Sequence, residues 1–219
     1  MNKLHKIIAA SLLASATTAG SGVVLAESPL TANITATSNY IFRGVEQASG
    51  VASVQGGIDY AHESGFYVGG WWSSLENAQY EQDIYAGYGF KAGPVDLDVG
   101  YIKYMYPVGT AQLDVDEAYI NASFDMFNAG LALTTSTEAG GQDSNTYMYV
   151  GAEFEVKKGL TLGLTYGDFN YDDAASTDYS HIQVSLSKGE FTFAIDDNDL
   201  STDAGDPRVS VSWNKSFDL

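Results

Sequence analysis

Ten charged side chains in this 219-residue chain are placed where they could act together. Asp59, Glu81, Asp83, Asp96, Asp98, Glu117, Glu153 and Asp196 are carboxylates, and Arg43 and Arg208 join them as cations. Glu81 and Asp83, like Asp96 and Asp98, are two residues apart, a spacing that puts both side chains on one face of an extended strand. Carboxylates arranged around a common interior favour cations over anions. Tyr67, Trp71, Tyr85, Tyr104, Tyr106, Tyr119, Tyr147 and Tyr149 belong to the same inward set. They provide either a stacking track for a small ring-shaped solute or the bulk that fills a narrow interior. His181 is the one imidazole on a strand-like segment, which makes it the candidate base of a Ser–His pair. Its parity turns it inward, however, and the chain has neither a G-x-S-x-G elbow nor an H-E-x-x-H pair. The acidic run from Asp196 to Asp203 has the carboxylate density of a calcium loop but lacks the glycine at the sixth position and the closing glutamate. No metal or other cofactor is expected.

Composition limits the chemistry further. With 28 acidic against 10 basic residues the chain carries −18, so nucleic acid is excluded as a partner, since phosphate binding needs a basic patch. Fifteen Tyr, 10 Phe and 3 Trp exclude a disordered acidic chain and require a surface to sit on. The N-terminus reads as a signal peptide over residues 1–26. Lys3 and Lys6 precede the apolar stretch Ile7 to Leu13, and Val24-Leu25-Ala26 offers the small residues of a cleavage site. Residues 27–219 then form the exported chain, in which the acidic excess grows from 18 to 20 once Lys3 and Lys6 are gone. Cys is absent, so disulfides play no part in the fold.

The elements that must position these side chains have period two. Leu30, Ala32, Ile34, Ala36, Tyr40 and Phe42 alternate with Thr31, Asn33, Thr35, Thr37, Asn39 and Arg43, and this reads as one two-faced strand. Similar alternation recurs up to Val209, Val211 and Trp213, which predicts about twelve strands and no helix of comparable quality. The connections alternate between short and long. Lys91, Lys157, Lys158 and Lys188 lie in short turns, while none of the long connections contains Lys or Arg. This is the pattern of an all-β, single transmembrane, antiparallel up-and-down barrel with short periplasmic turns and long outer loops. Tyr60, Phe66, Phe90, Phe124, Phe127, Phe154, Phe191 and Phe217 border the short turns and predict one aromatic girdle. Tyr40, Phe42, Trp72, Tyr101 and Tyr166 predict the other. Lys103 and Lys215 fall on the lipid parity and must therefore lie near strand ends and snorkel.

Ser38-Asn39-Tyr40-Ile41-Phe42-Arg43-Gly44-Val45, followed by Val54-Gln55-Gly56-Gly57-Ile58-Asp59-Tyr60 and Ser64-Gly65-Phe66-Tyr67-Val68-Gly69, resembles the opening of the TorF family of porin-like proteins. Glu81 to Tyr88 and Tyr104-Met105-Tyr106-Pro107 resemble later family blocks, with Val108 standing where that pattern more often has Gly. The resemblance implies a location in the outer membrane of a Gram-negative bacterium and a pore-like role.

Together these readings give an expected pore for small, preferably cationic or neutral solutes, lined by Arg43, Asp59, Tyr67, Glu81, Asp83, Asp98, Glu117, Glu153, His181, Asp196 and Arg208. Expected partners are outer-membrane lipid, lipopolysaccharide and, through the C-terminal strand, the barrel-insertion machinery. Twelve strands fall between small barrels filled by their own side chains and wide aqueous porins. A closed barrel that anchors surface-interaction loops, or less favourably a barrel hydrolase, are the alternatives.

Overall fold

The computed structural model describes residues 29–108, 114–138, 144–173, 175–201 and 203–219. The expected signal peptide lies outside the described residues. Twelve antiparallel strands close on themselves in simple up-and-down order. They are β1 (Leu30–Thr37), β4 (Ser53–Ala61), β5 (Phe66–Ser74), β6 (Tyr80–Ala92), β7 (Val95–Met105), β8 (Val115–Phe124), β9 (Phe127–Thr137), β10 (Thr146–Lys157), β11 (Leu160–Asn170), β12 (Tyr179–Lys188), β13 (Phe191–Asn198) and β14 (Arg208–Asp218). A two-stranded hairpin, β2 (Ile41–Phe42) with β3 (Val45–Glu46), stands apart from the wall. Closure joins β1 to β14, with Ala32 opposite Phe217 and the Leu219 amide donating to the Leu30 carbonyl at 3.0 Å. The barrel thus has no free edge and every wall strand is hydrogen-bonded on both sides.

The alternation sorts the two faces. Val54, Ile58, Ile84, Val150, Ile182 and Val209 are each half exposed or more on the outside. On the inside, Gln55, Asp83, Glu117, Gln183 and Ser212 are buried. An apolar outer wall around a polar interior is stable only with lipid outside, so the fold is that of a transmembrane barrel. The eight aromatics expected beside the short turns all face outward there. Lys103 sits near the long-loop end, 3.7 Å from Asp114 and 3.6 Å from Asp116, and Lys215 sits near the short-turn end, 2.5 Å from Glu190. Hydrogen bonds from Lys215 and Trp213 hold the Glu190 carboxyl below its usual range.

One expectation fails at the first strand. The wall strand stops at Thr37, and the chain turns into the barrel instead of continuing through Tyr40 and Phe42. Tyr40 and Ile41 are therefore fully buried, and Phe42 packs edge-on against Tyr104 at 5.9 Å. Trp72, Tyr101 and Tyr166 do face outward at the long-loop end, but Tyr40 and Phe42 are not part of that girdle.

Candidate functional site

The interior is organised around the β2–β3 hairpin. Its two-residue connection is Arg43-Gly44, with φ of 50° and 77°. Positive φ at both positions is the signature of the turn type that matches strand twist, and glycine adopts it without strain. A Cβ on Gly44 would also collide with the His181 ring, so only glycine lets the hairpin tip rest on β12. Arg43 holds a left-handed conformation that costs a non-glycine residue about 1–2 kcal/mol, and the tip contacts sustain it.

Those contacts reach across the lumen. Arg43 donates both terminal nitrogens to Glu117 of β8, Nη1 to Oε1 at 2.8 Å and Nη2 to Oε2 at 2.7 Å. The guanidinium also lies over Tyr147 of β10 at 4.3 Å and over its neighbour Phe42 at 4.7 Å. On the other side Asn198 of β13 donates to the Gly44 carbonyl at 2.8 Å, and Arg208 of β14 lies 3.6 Å from Glu46. The hairpin is a bar fixed to two nearly opposite arcs of wall, and it narrows the passage. Next to it is a cavity of about 40 Å³ lined by Arg43, Tyr85, Tyr104, Glu117, Tyr119 and Tyr149, room for a few waters at most.

Around this bar, phenols and carboxylates pair across strands. Tyr67 donates to Asp98 at 2.7 Å and meets the Tyr119 hydroxyl at 2.6 Å. Tyr85 donates to Asp59, Tyr104 to Glu117 at 3.2 Å, and Tyr40 to Glu81 at 3.2 Å. Gln183 donates to one oxygen of Asp196 at 2.6 Å. Four inward phenols lie across a bare glycine on a neighbouring strand. Tyr67 covers Gly87, Tyr85 covers Gly69, Tyr119 covers Gly100, and Tyr149 covers Gly130. The rings therefore run along the wall rather than projecting to the centre.

Asp59, Tyr67, Glu81, Asp83, Asp98, Glu117, Glu153, His181, Asp196 and Arg208 are all carried inward by their strands, and Arg43 arrives on the hairpin. Glu153 sits on the inward face of β10 opposite Gly163. His181 Nε2 shares a hydrogen bond with the Tyr147 hydroxyl at 2.9 Å and stacks on that ring, so its partner there is a phenol and not a serine. The acidic run begins inside β13, which ends at Asn198, and just beyond it Asp199 accepts from the Ser180 amide at 2.8 Å. Among the described residues no three His, Asp or Glu side chains are placed to hold a metal together. Two features are not visible in the alternation. The role of Arg43 as a bridge had a local signal, the Arg-Gly pair between two short apolar pairs. The glycine–tyrosine pairs had only a weak one, glycines on the inward parity of tyrosine-rich strands.

Comparison with known proteins follows the architecture. Among solved structures the chain is similar to "KdgM porin", with a TM-score of 0.56 and 8% identity over 86% of this chain and 99% of that one. It is likewise similar to "KdgM porin in complex with disordered oligogalacturonate", with a TM-score of 0.51 and 8% identity over 87% and 99%. Acinetobacter baumannii OccAB2 aligns at a TM-score of 0.42 and 13% identity over 76% of this chain and 55% of that one. No curated protein matches the chain by sequence. A family described as "Bacterial protein of unknown function (Gcw_chp)" matches residues 24–208, which include the whole hairpin and every wall strand up to the start of β14. The chain belongs to this Gcw_chp family.

Proposed function

We propose that the barrel is a narrow outer-membrane channel for passive diffusion of small cationic or neutral solutes. The observation that carries this reading is the charge balance of the interior. Among the described residues the inward-facing Asp59, Asp98 and Asp196 have no Lys or Arg within 4.0 Å, while Arg43 is already committed to Glu117. Hydrogen bonds from tyrosines satisfy lone pairs but leave the negative field in place, so the passage favours cations. A polyanion such as the oligogalacturonate named with KdgM is expected to be excluded from it. The opening blocks that resemble the TorF family support the same reading. In this setting the aromatic belts contact outer-membrane lipid and lipopolysaccharide, residues 1–26 direct export, and β14 is the strand presented to the insertion machinery.

The test is planar-bilayer conductance of the refolded chain with reversal potential under a salt gradient. Small discrete steps with cation preference are expected, and Asp196→Asn combined with Glu153→Gln should lower the cation-to-anion permeability ratio severalfold. A correctly folded but silent barrel, or an anion-selective one, overturns the proposal. The hairpin across the lumen favours, as a second reading, a closed barrel whose acidic loops engage a surface partner, and the silent outcome is the one it expects.

A further inference from the structure

We infer that the place occupied by Arg43 is a recognition site for guanidinium solutes, with the chain's own arginine seated in it as an internal ligand. The wall supplies both elements that single out a guanidinium, a carboxylate fork and aromatic faces. Glu117 of β8 takes the two terminal nitrogens side by side, at 2.8 and 2.7 Å. Tyr147 of β10 lies under the guanidinium at 4.3 Å, and Phe169 of β11 lies 5.7 Å from it. Tyr104 of β7 steadies the same carboxylate with its hydroxyl at 3.2 Å. Glu117, Tyr104 and Tyr147 are all buried, and their positions are set by the wall strands rather than by the hairpin.

A fork that accepts two parallel N–H bonds, flanked by aromatic faces, discriminates between cations of equal charge. A guanidinium fills both oxygens and covers the rings, whereas an ammonium meets the seat as a point charge. The buried Glu117 carboxylate also requires a cation, because a buried charge stripped of its partner is strongly unfavourable. Its present partner does not belong to the wall. Arg43 stands at the tip of the β2–β3 hairpin with φ of 50°, and the tip's further contacts include Asn198 on the Gly44 carbonyl and the His181 ring. An occupant arriving from solution carries none of that backbone strain. Withdrawal of the tip would join the space it leaves to the adjoining cavity, which Arg43, Glu117, Tyr104 and Tyr149 border, and would open room beside Glu117 for the chain that carries an incoming guanidinium. A guanidinium that takes the seat therefore displaces the hairpin, and the solute itself widens the passage. That last role rests on the channel reading; the seat does not.

The experiment uses the refolded full barrel in detergent with propylguanidinium and butylammonium, monovalent cations of matched length. In Arg43→Ala, calorimetry should find one propylguanidinium bound per barrel, together with a rise in the thermal unfolding temperature. Butylammonium should bind about tenfold more weakly, since it cannot fork. The unmodified barrel should bind propylguanidinium about tenfold more weakly than Arg43→Ala, because its own arginine must first leave. Adding Glu117→Gln to Arg43→Ala should abolish binding. No binding by folded Arg43→Ala overturns the inference, as does equal binding of the two cations, which would report only the negative field of the lumen. Binding that survives Glu117→Gln overturns it too, by placing the cation elsewhere. If Arg43→Ala refolds poorly, the yield becomes the readout: propylguanidinium in the refolding buffer should restore it where butylammonium does not, and equal yields overturn the inference. Conductance is measured separately on the same preparations. Binding by a silent barrel upholds the seat and overturns the channel; a conducting barrel without binding does the reverse.

Discussion

Replacing Arg43 by Met should raise the single-channel conductance severalfold and lower the stability of the barrel by about 3–5 kcal/mol, the usual cost of leaving one member of a buried ion pair without its partner. Both effects come from the same contact. Arg43 fixes the hairpin tip to Glu117 through two short hydrogen bonds and covers Tyr147 with its guanidinium. Without it, among the described residues, the Glu117 carboxylate keeps the Tyr104 hydroxyl at 3.2 Å, and the tip keeps the Asn198 bond and its rest on His181. Removing the charge from both sides separates the two effects. Arg43→Met with Glu117→Gln should recover most of the stability, because no charge is then stranded, while the conductance stays high because the bar is still released. Thermal unfolding and bilayer recording of the four proteins form a double-mutant cycle. Unchanged conductance in both Arg43 variants would mean that the hairpin does not limit the passage.

The second large effect is expected from a single methyl group. Gly87→Ala places a Cβ on the ring carbon and hydroxyl of Tyr67 and 2.7 Å from the Val99 carbonyl oxygen. Overpacking of this kind costs about 1–3 kcal/mol, and Tyr67 can escape only by leaving Asp98 and Tyr119, two hydrogen bonds worth about 1 kcal/mol each. A clear fall in refolding yield and in the temperature at which the folded barrel loses its compact gel mobility is expected. Gly87→Ala made in a Tyr67→Ser background should cost markedly less, since the ring no longer has to move. If the two backgrounds respond equally, the glycine is needed for its backbone approach to Val99 and not for the ring. The same reasoning applies to Gly100 beneath Tyr119 and to Gly130 beneath Tyr149.

These cases show which parts of the molecule the sequence makes legible. Strand count, order, the inward set and the girdle beside the short turns all follow from side-chain parity, because a barrel wall gives each strand the same two environments along its whole length. Parity is least informative where the environment changes within a short stretch. After Thr37, Asn39 and Arg43 still alternate with Tyr40 and Phe42, but Ser38 falls on the apolar parity and Ile41 on the polar one. Yet the chain has left the wall, and both faces of the hairpin meet protein. These two breaks, with Arg43-Gly44 as a pair suited to a two-residue turn, mark the reversal. The bond of Arg43 to Glu117 spans 74 positions, and the coverage of Gly87 by Tyr67 depends on the register of β5 against β6. Contacts of that kind come from the closed sheet and cannot be found within a single strand.

The hairpin is anchored in the wall at both ends, by β1 before it and by β4 after it, and these two strands are themselves neighbours. It can therefore never diffuse away, and its release and return are events within one molecule. A tether of this length keeps the displaced tip at millimolar effective concentration around its seat, so return is fast and independent of protein concentration. On the proposed channel reading, brief excursions of the hairpin are expected as flicker superimposed on the small steps of the unmodified barrel. Dwell times, as well as amplitudes, are expected to carry the signature of the Arg43 contact.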